Sequence, residues 1–394
     1  MEIRDYEYVL VPNILADYKC SSSGECCKSK WRIDIDEKAY EKTKEELEKL
    51  DENIEDYFEK SDRGDYITKF ANGYCKFITD EKLCRIHKEF GWNCLSDTCK
   101  TYPRILKLTP RGLEMSLLFS CRSSAKLLLK DIDFEIVKIK KEDFFIMMPG
   151  NISFIIPENS LPSSSEYRYF ELEEFMINIL KLEDNLGKKV QFLYEKVNEY
   201  FLTEDKENFD FSKILKNYSK YKFKKFINQE LDDYIIRTIL SKEKRSKAVA
   251  NELINLLKAL RLTGNLEEDR EYLRDDSFLL TLNDIDEMKK LWTNKDEKVL
   301  TNYILCFLFN KEFYGVNKFS FMKMLLLSGM LKFRILLNKK YLKRDLTEEE
   351  LIYTIKSHDN DFSHDSEFFN EFYNQNHEII DIDDYTRKMI TILY

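Results

Sequence analysis

Eight cysteines crowd into the first 121 residues of this 394-residue chain: Cys20, Cys26, Cys27, Cys75, Cys84, Cys94, Cys99 and Cys121. The ninth, Cys306, stands apart in an apolar helical run, the setting of an inert core residue. Thiolates are soft ligands that favour zinc, iron–sulfur clusters and copper(I). The spacing runs C-x5-C-C, a gap of 47 residues, C-x8-C-x9-C-x4-C, and a last cysteine after 21 more. Structural zinc usually draws its ligands as two short C-x2-4-C pairs, and only Cys94 and Cys99 come near that. Adjacent side chains such as those of Cys26 and Cys27 diverge, so they suit different irons or two metals better than one tetrahedral ion. A four-iron cluster needs four thiolates. The set therefore admits one cluster with spare residues, two clusters, or a mixed site, with iron–sulfur favoured over zinc.

The residues around the cysteines fit a metal centre. Lys28, Lys30 and Arg32 follow the paired cysteines, and Arg85, Lys100, Arg104 and Arg122 sit beside later ones. Cations so placed lower thiolate pKa values and offset cluster charge. His87 stands three residues after Cys84, either as a ligand or as a helix-face residue packed beside the site.

Other chemistries are excluded by what is missing. There are ten glycines, and the closest two, Gly64 and Gly73, are nine positions apart. Motifs built on G-x-G, G-x-x-x-x-G-K or G-x-S-x-G are therefore absent, which argues against standard dinucleotide-binding, P-loop and serine-hydrolase enzymes. A net charge of -9 argues against sequence-independent binding to nucleic acid, and the basic patch at Lys220, Lys222, Lys224 and Lys225 reads as a solvated helix face. The start, MEIRDYEYVL, has no basic-then-apolar signal. The apolar run Phe319 to Leu337 carries Lys323, Lys332 and Arg334, which argue against a membrane span. The expectation is a cytoplasmic protein with no nucleic-acid or membrane partner, and in that compartment cysteines are not a disulfide framework.

The elements that must position the cysteines follow from the breakers. All six prolines lie at or before Pro162, and the remaining 232 residues hold four glycines. Apolar spacing predicts helices over Tyr167–Leu182, Val190–Phe201, Phe223–Leu240, Ala248–Leu262, Val299–Phe313 and Phe319–Leu337. Leu262-Thr263-Gly264-Asn265 reads as a glycine C-cap, and Thr347-Glu348-Glu349-Glu350 as a helix start. Earlier in the chain, Glu37 to Lys60 reads as one long charged helix, with Glu and Lys paired at helical spacing. Ile105–Leu108 and Leu113–Ser120 read as a hairpin around Thr109-Pro110-Arg111-Gly112, with further strands at Phe134–Lys140 and Phe144–Met148. Asn159–Glu166 is the best linker. The expected fold is mainly α: a small N-terminal α+β cysteine-cluster domain over 1–160, then an all-helical domain over 161–394.

The run Cys20-Ser-Ser-Ser-Gly-Glu-Cys26-Cys27-Lys-Ser-Lys-Trp31-Arg-Ile-Asp-Ile-Asp36 resembles the opening of the flagellin lysine N-methylases, within a wider group of cysteine-cluster proteins described as zinc- or iron-chelating. The resemblance continues through Cys75-Lys-Phe-Ile, Leu83-Cys84-Arg85-Ile86, Cys99-Lys-Thr-Tyr102-Pro103-Arg104 and Leu117-Leu-Phe-Ser-Cys121, with an echo at Asp361-Phe-Ser-His364. It covers residues 15 to 125 by clear motif. The paired cysteines are preceded here by a shorter segment than is common in the family, and His87 stands where tyrosine is usual. The resemblance implies methyl transfer from S-adenosylmethionine to lysine ε-amines of flagellin, with an iron–sulfur cluster, 4Fe-4S by preference and zinc as the alternative. The C-x3-C-x2-C string of radical S-adenosylmethionine enzymes is absent. Arg104 either pairs a carboxylate after a helix stop at Tyr102-Pro103, or lies beside the cluster or the donor's carboxylate. His364 is either a surface histidine or a general base from the helical domain. The bare residues equally support a non-catalytic zinc- or iron-chelating protein whose helical domain binds a partner.

Overall fold

The protein is seen here in a computed structural model that describes residues 7–21, 23–28, 33–61, 64–140, 152–155, 167–224, 282–310, 317–362, 387, 390, 391 and 394. Two compact units emerge: Met1–Leu127 with Ile136–Ile156, and Leu128–Glu135 with Pro157–Tyr394. The expected boundary after residue 160 and the linker Asn159–Glu166 lie outside the described residues, as does the strand expected at Phe144–Met148.

The first unit is built on a five-stranded sheet. Its strands are β1 (Tyr8–Pro12), β7 (Arg104–Thr109), β8 (Gly112–Leu117), β9 (Ile136–Lys140) and β10 (Ile152–Ile155), ordered β10-β7-β8-β1-β9. β7 and β8 form the expected antiparallel hairpin, closing at Thr109 and Gly112, where a φ of 121° needs the glycine. β1 pairs parallel with β8 and antiparallel with β9. Val9 and Val11 of β1 are wholly buried, as alternation in a half-covered sheet requires.

Beside that sheet lie the short elements that carry most cysteines. β2 (Asp34–Ile35), β3 (Phe58–Lys60) and β4 (Tyr66–Thr68) form a three-stranded sheet, and β5 (Phe70–Ala71) pairs with β6 (Tyr74–Cys75). Helix α1 covers Glu37–Glu48, not the whole of Glu37–Lys60. It stops because Asp51 takes a left-handed φ of 55° and Asn53 caps a separate tight turn at Ile54–Asp56, after which Phe58 enters β3. Asp and Asn compete with the helix for backbone hydrogen bonds. Leu47, Ile54 and Phe58 are all buried, so their helix-like spacing serves three different elements. Two further short helices, α2 (Asp97–Thr101) and α3 (Arg122–Leu127), complete the unit.

The second unit is helical in its described elements: α4 (Tyr169–Lys181), α5 (Leu186–Leu202), α6 (Phe211–Asn217), α7 (Leu282–Lys289), α8 (Asn294–Phe309), α9 (Asn317–Leu342) and α10 (Glu348–Phe362). The chain is thus mainly α with a strand-bearing N-terminal region, the fold class that the breaker-poor stretch predicts. The helices expected at Phe223–Leu240 and Ala248–Leu262, and the cap at Gly264, lie outside the described residues. α8 opens on a capping box in which Thr293 and Asp296 exchange hydrogen bonds, and Thr347 and Glu350 do the same at α10. Asp296 also accepts from Lys339, both side chains being almost wholly buried. Asn302 of α8 donates to the carbonyls of Leu128 and Lys130, each at 2.9 Å, which ties that short excursion of the chain to this unit. Cys306 is buried on α8, as its apolar run implies. Lys224, in the basic patch, lies after the last turn around Tyr218–Lys220 and pairs with Glu195 at 3.0 Å, so the patch is not one helix face. Among the described residues no helix is long and apolar enough to cross a membrane.

Candidate metal centre

Cys26 and Cys27 lie on a tight turn, Glu25–Lys28, entered through Gly24 at a φ of 67°. A Cβ on Gly24 would stand 2.0 Å from the carbonyl oxygen of Lys82, so the glycine lets this turn press against the segment that leads to Cys84. Cys84 is held by a β-bridge to Ile78, and the Arg85 N–H donates to the Phe77 carbonyl at 2.7 Å. Cys75 ends β6, which packs directly against the Glu25–Lys28 turn. Cys99 sits on α2, whose cap Ser96 accepts from the Cys99 N–H at 3.2 Å. Asp36 ties the starts of two helices together, accepting from Ala39 at the head of α1 and from Asp97 at the head of α2. The floor is apolar: Ile33, Ile35, Phe58, Phe77 and Ile86 are buried in one cluster with Cys75 and Cys94, and Cys27 and Cys84 pack against it.

The thiols of this group feel one another. Cys27 is pushed well up by hydrogen bonds to Cys26 and Cys84, reinforced by burial. Its partner Cys84 is held down to about 7, chiefly by accepting that hydrogen bond, with help from the backbone N–H groups of His87 and Ile86. Burial raises Cys75 to about 11, and neighbouring Cys84 and Cys26 add to the rise. Cys99 is exposed as a residue, while lost hydration lifts its thiol to about 12, with Cys84, Cys75 and Cys26 contributing. A charged network braces the same segment. Arg85 donates to both carboxylate oxygens of Glu52 at 2.7 Å and to Glu89 at 2.7 Å, and Tyr57 also donates to Glu52.

The remaining three early cysteines have further neighbours of their own. Cys121 is 3.7 Å from the Tyr18 hydroxyl, and the Arg104 guanidinium lies over the Tyr18 ring at 5.1 Å. Cys20 acts on both Tyr18 and Arg104. Burial first, then Cys121, pushes the Tyr18 hydroxyl up. Ser21 and Ser123 clasp the two segments through a backbone and a hydroxyl hydrogen bond of 3.1 and 2.9 Å. Cys94 is buried, and its Sγ donates to the Phe90 carbonyl at 3.5 Å.

The other expected site residues are accounted for in turn. Among the described residues Arg104 pairs with no carboxylate, and its buried Nε has no hydrogen-bond partner. Burial lowers its pKa while Tyr18, Cys20 and Cys121 oppose that. Tyr102 follows the end of α2 and donates to Ser120 Oγ at 3.2 Å. His87 is exposed and contributes its backbone, not a helix-face packing contact. The expected cations are largely engaged elsewhere: Lys28 lies over the Tyr74 ring at 5.6 Å, Arg122 pairs with Glu25 at 3.4 Å, and Lys100 lies over Trp92 and partly opposes the burial that raises Cys94. Lys30, Arg32 and His364 lie outside the described residues. Glu52 and Tyr57 give no spacing signal in the sequence; Tyr18 gives a faint one, an aromatic two places before a cysteine. Among the described residues, no three His, Cys, Asp or Glu side chains are set to enclose a single ion.

Comparison with known proteins finds similarity over part of the chain. Over 134 residues, 32% of this chain and 33% of the relative, it is 27% identical to the lysine-N-methylase of Salmonella choleraesuis (strain SC-B67). The lysine-N-methylase of Salmonella typhimurium (strain LT2) is 27% identical over the same shares. The flagellar biosynthetic protein FliU of Salmonella muenchen is 28% identical over 137 residues, 32% of this chain and 79% of that protein. The chain therefore spans about a third of the length of the lysine-N-methylases that it matches. No family model and no solved structure matches it. Over about a third of its length, this chain is similar to two lysine-N-methylases, proteins of the kind that its cysteine run resembles.

Proposed function

We propose that this chain is a protein-lysine N-methyltransferase that takes its methyl group from S-adenosylmethionine, acts on flagellin, and carries an iron–sulfur cluster in its N-terminal unit. The observation that carries the reading is the similarity to two lysine-N-methylases, and the flagellar name of a third relative favours flagellin as substrate. The donor set supports the cluster. Cys26, Cys27, Cys75, Cys84 and Cys99 lie near enough to shift one another's protons, yet they do not enclose one ion. Thiolates are the ligands that hold iron–sulfur clusters.

Methyl transfer forms an N–C bond to the lysine ε-nitrogen and breaks a C–S bond; the donor supplies an electrophilic methyl and leaves as a neutral thioether. The lysine must enter as a neutral amine, although its ammonium form has an ordinary pKa of about 10.4. The protein must therefore desolvate the ε-ammonium and take its proton. His364 is the candidate acceptor that the resemblance brings forward, and Tyr102 and Arg104 are the candidates for orienting donor or substrate.

The test is to incubate the anaerobically purified chain with flagellin and the methyl donor, then weigh intact flagellin. Mass increments of one methyl group on flagellin, absent without donor, are the expected result. No increment with metal-replete protein would overturn the enzyme reading in favour of a non-catalytic chelating protein. A visible charge-transfer band with acid-labile sulfide separates a cluster from colourless zinc.

A further inference from the structure

Ile390, Thr391 and Tyr394 are buried in the helical unit, and Tyr394 is met there group by group. Its hydroxyl touches Ser328 Oγ and donates to the Leu325 carbonyl at 3.2 Å, both on α9. Its main-chain oxygen accepts from the Lys332 ammonium at 3.0 Å. The same ammonium lies 4.8 Å from the centre of the Trp292 ring and 5.5 Å from that of the Tyr394 ring. Gly187, in the first turn of α5, makes room for this residue: a Cβ there would stand 3.2 Å from both the carbonyl carbon and the Cβ of Tyr394. Lys289 holds the approach to it, donating to the Thr391 carbonyl at 3.1 Å.

Apolar packing alone does not account for Lys332. It is 4% exposed, and a buried cation is costly unless an opposite charge meets it. The two carboxylates whose charge it feels are engaged with other groups. Asp296 accepts from Lys339, and Glu297 accepts from Trp292 Nε1 and the Leu186 N–H, each at 2.9 Å. Burial brings Lys332 down to about 8 against the pull of Glu297, with Lys289 adding to the fall and Asp296 opposing it. A hydroxyl-binding end, two aromatic faces and a cation at the opposite end together select a phenol with an acceptor oxygen on its para arm. A carboxylate on that arm would give the ammonium a charge-assisted bond in place of a neutral one. We infer that the helical unit contains a tyrosyl socket, formed by Gly187, Trp292, Leu325, Ser328 and Lys332, whose resident occupant is Tyr394 and whose ligand class is a para-hydroxyphenyl carboxylic acid. The socket is independent of the methyl-transfer reading above.

The experiment uses the full chain and its variant Tyr394→Ala, with 4-hydroxyphenylacetate as the probe. Phenylacetate lacks the hydroxyl and 4-methylphenol lacks the carboxylate, so each tests one end. Thermal unfolding followed by circular dichroism reads stability, and titration calorimetry reads stoichiometry. Tyr394→Ala should melt several degrees below the wild type, and millimolar 4-hydroxyphenylacetate should recover part of that loss by binding one molecule per chain. Each partial probe should bind the variant several-fold more weakly, and the wild type, its socket filled, should bind none. Adding Lys332→Met to Tyr394→Ala should abolish the preference for 4-hydroxyphenylacetate over 4-methylphenol. A folded Tyr394→Ala that takes up no 4-hydroxyphenylacetate overturns the socket, as does equal uptake of phenylacetate or equal uptake by the wild type. A preference that survives Lys332→Met overturns the ligand class. A Tyr394→Ala chain that folds only with the probe present supports the socket. One that folds neither with it nor without it overturns the socket, because the ring is then inseparable from the core.

Discussion

Replacing Glu52 by glutamine tests the charged brace behind Cys84. Glu52 accepts from both Arg85 Nη1 and Nη2 at 2.7 Å and from the Tyr57 hydroxyl. The hydrogen bonds from Arg85, then that from Tyr57, hold its carboxyl down to about 2. The drop from the ordinary value of 4.5 corresponds to an upper bound of about 3 kcal/mol. With 31% of the Glu52 side chain in solvent, and with Arg85 keeping its bond to Glu89, screening reduces this to about 1–1.5 kcal/mol. A carboxylate whose folded value is depressed stabilises above its ordinary range, and that stability fades as pH falls toward the folded value. Urea unfolding followed by circular dichroism should therefore find Glu52→Gln less stable by about 1–1.5 kcal/mol at neutral pH. The gap should narrow steadily as pH is lowered from about 5 toward about 3. A gap that is absent at neutral pH, or that keeps its size on acidification, would refute the reasoning.

Three other perturbations have equally definite outcomes. Asp296→Ala leaves the buried ammonium of Lys339 with the exposed Asp345 and the Leu291 carbonyl and removes half of a capping box; thermal or urea unfolding should show a loss of about 3–5 kcal/mol. Asn302→Ala leaves the carbonyls of Leu128 and Lys130 without their donor and should cost about 1–3 kcal/mol by the same assay. Gly24→Ala must displace either the Lys82 carbonyl or the turn bearing Cys26 and Cys27; iron content should fall and stability should drop by more than about 1 kcal/mol, where Gly73→Ala, in open space, costs only its left-handed backbone penalty.

The helices of the second unit were legible because few prolines or glycines interrupt their apolar spacing, and the hairpin was legible because its turn residues stand between two apolar runs. What the sequence hid was pairing at long range. β1 joins β8 in parallel across a hundred residues, and nothing in YVLVP announces that partner. Glu37–Lys60 misled for a local reason: Leu47, Ile54 and Phe58 keep a helical interval while a left-handed Asp51 breaks the helix between them. The cysteines illustrate the same limit. Their order shows that they are a set, but which of them become neighbours depends on which loops meet. That is decided by Gly24, Ser21, Ser123 and Tyr18, residues that no ligand spacing would select.

The short excursion Leu128–Glu135 has a practical consequence for dissecting the molecule. The chain leaves the first unit after Leu127, gives its carbonyls to Asn302 in the helical unit, and returns at Ile136 to add β9. No single cut of the polypeptide can therefore release either half intact. A fragment stopped at Leu127 forfeits both edge strands, β9 and β10, and one begun at Pro157 deprives α8 of the backbone that it grips. Truncation studies of the cysteine half should keep the return strand and replace the excursion with a short loop.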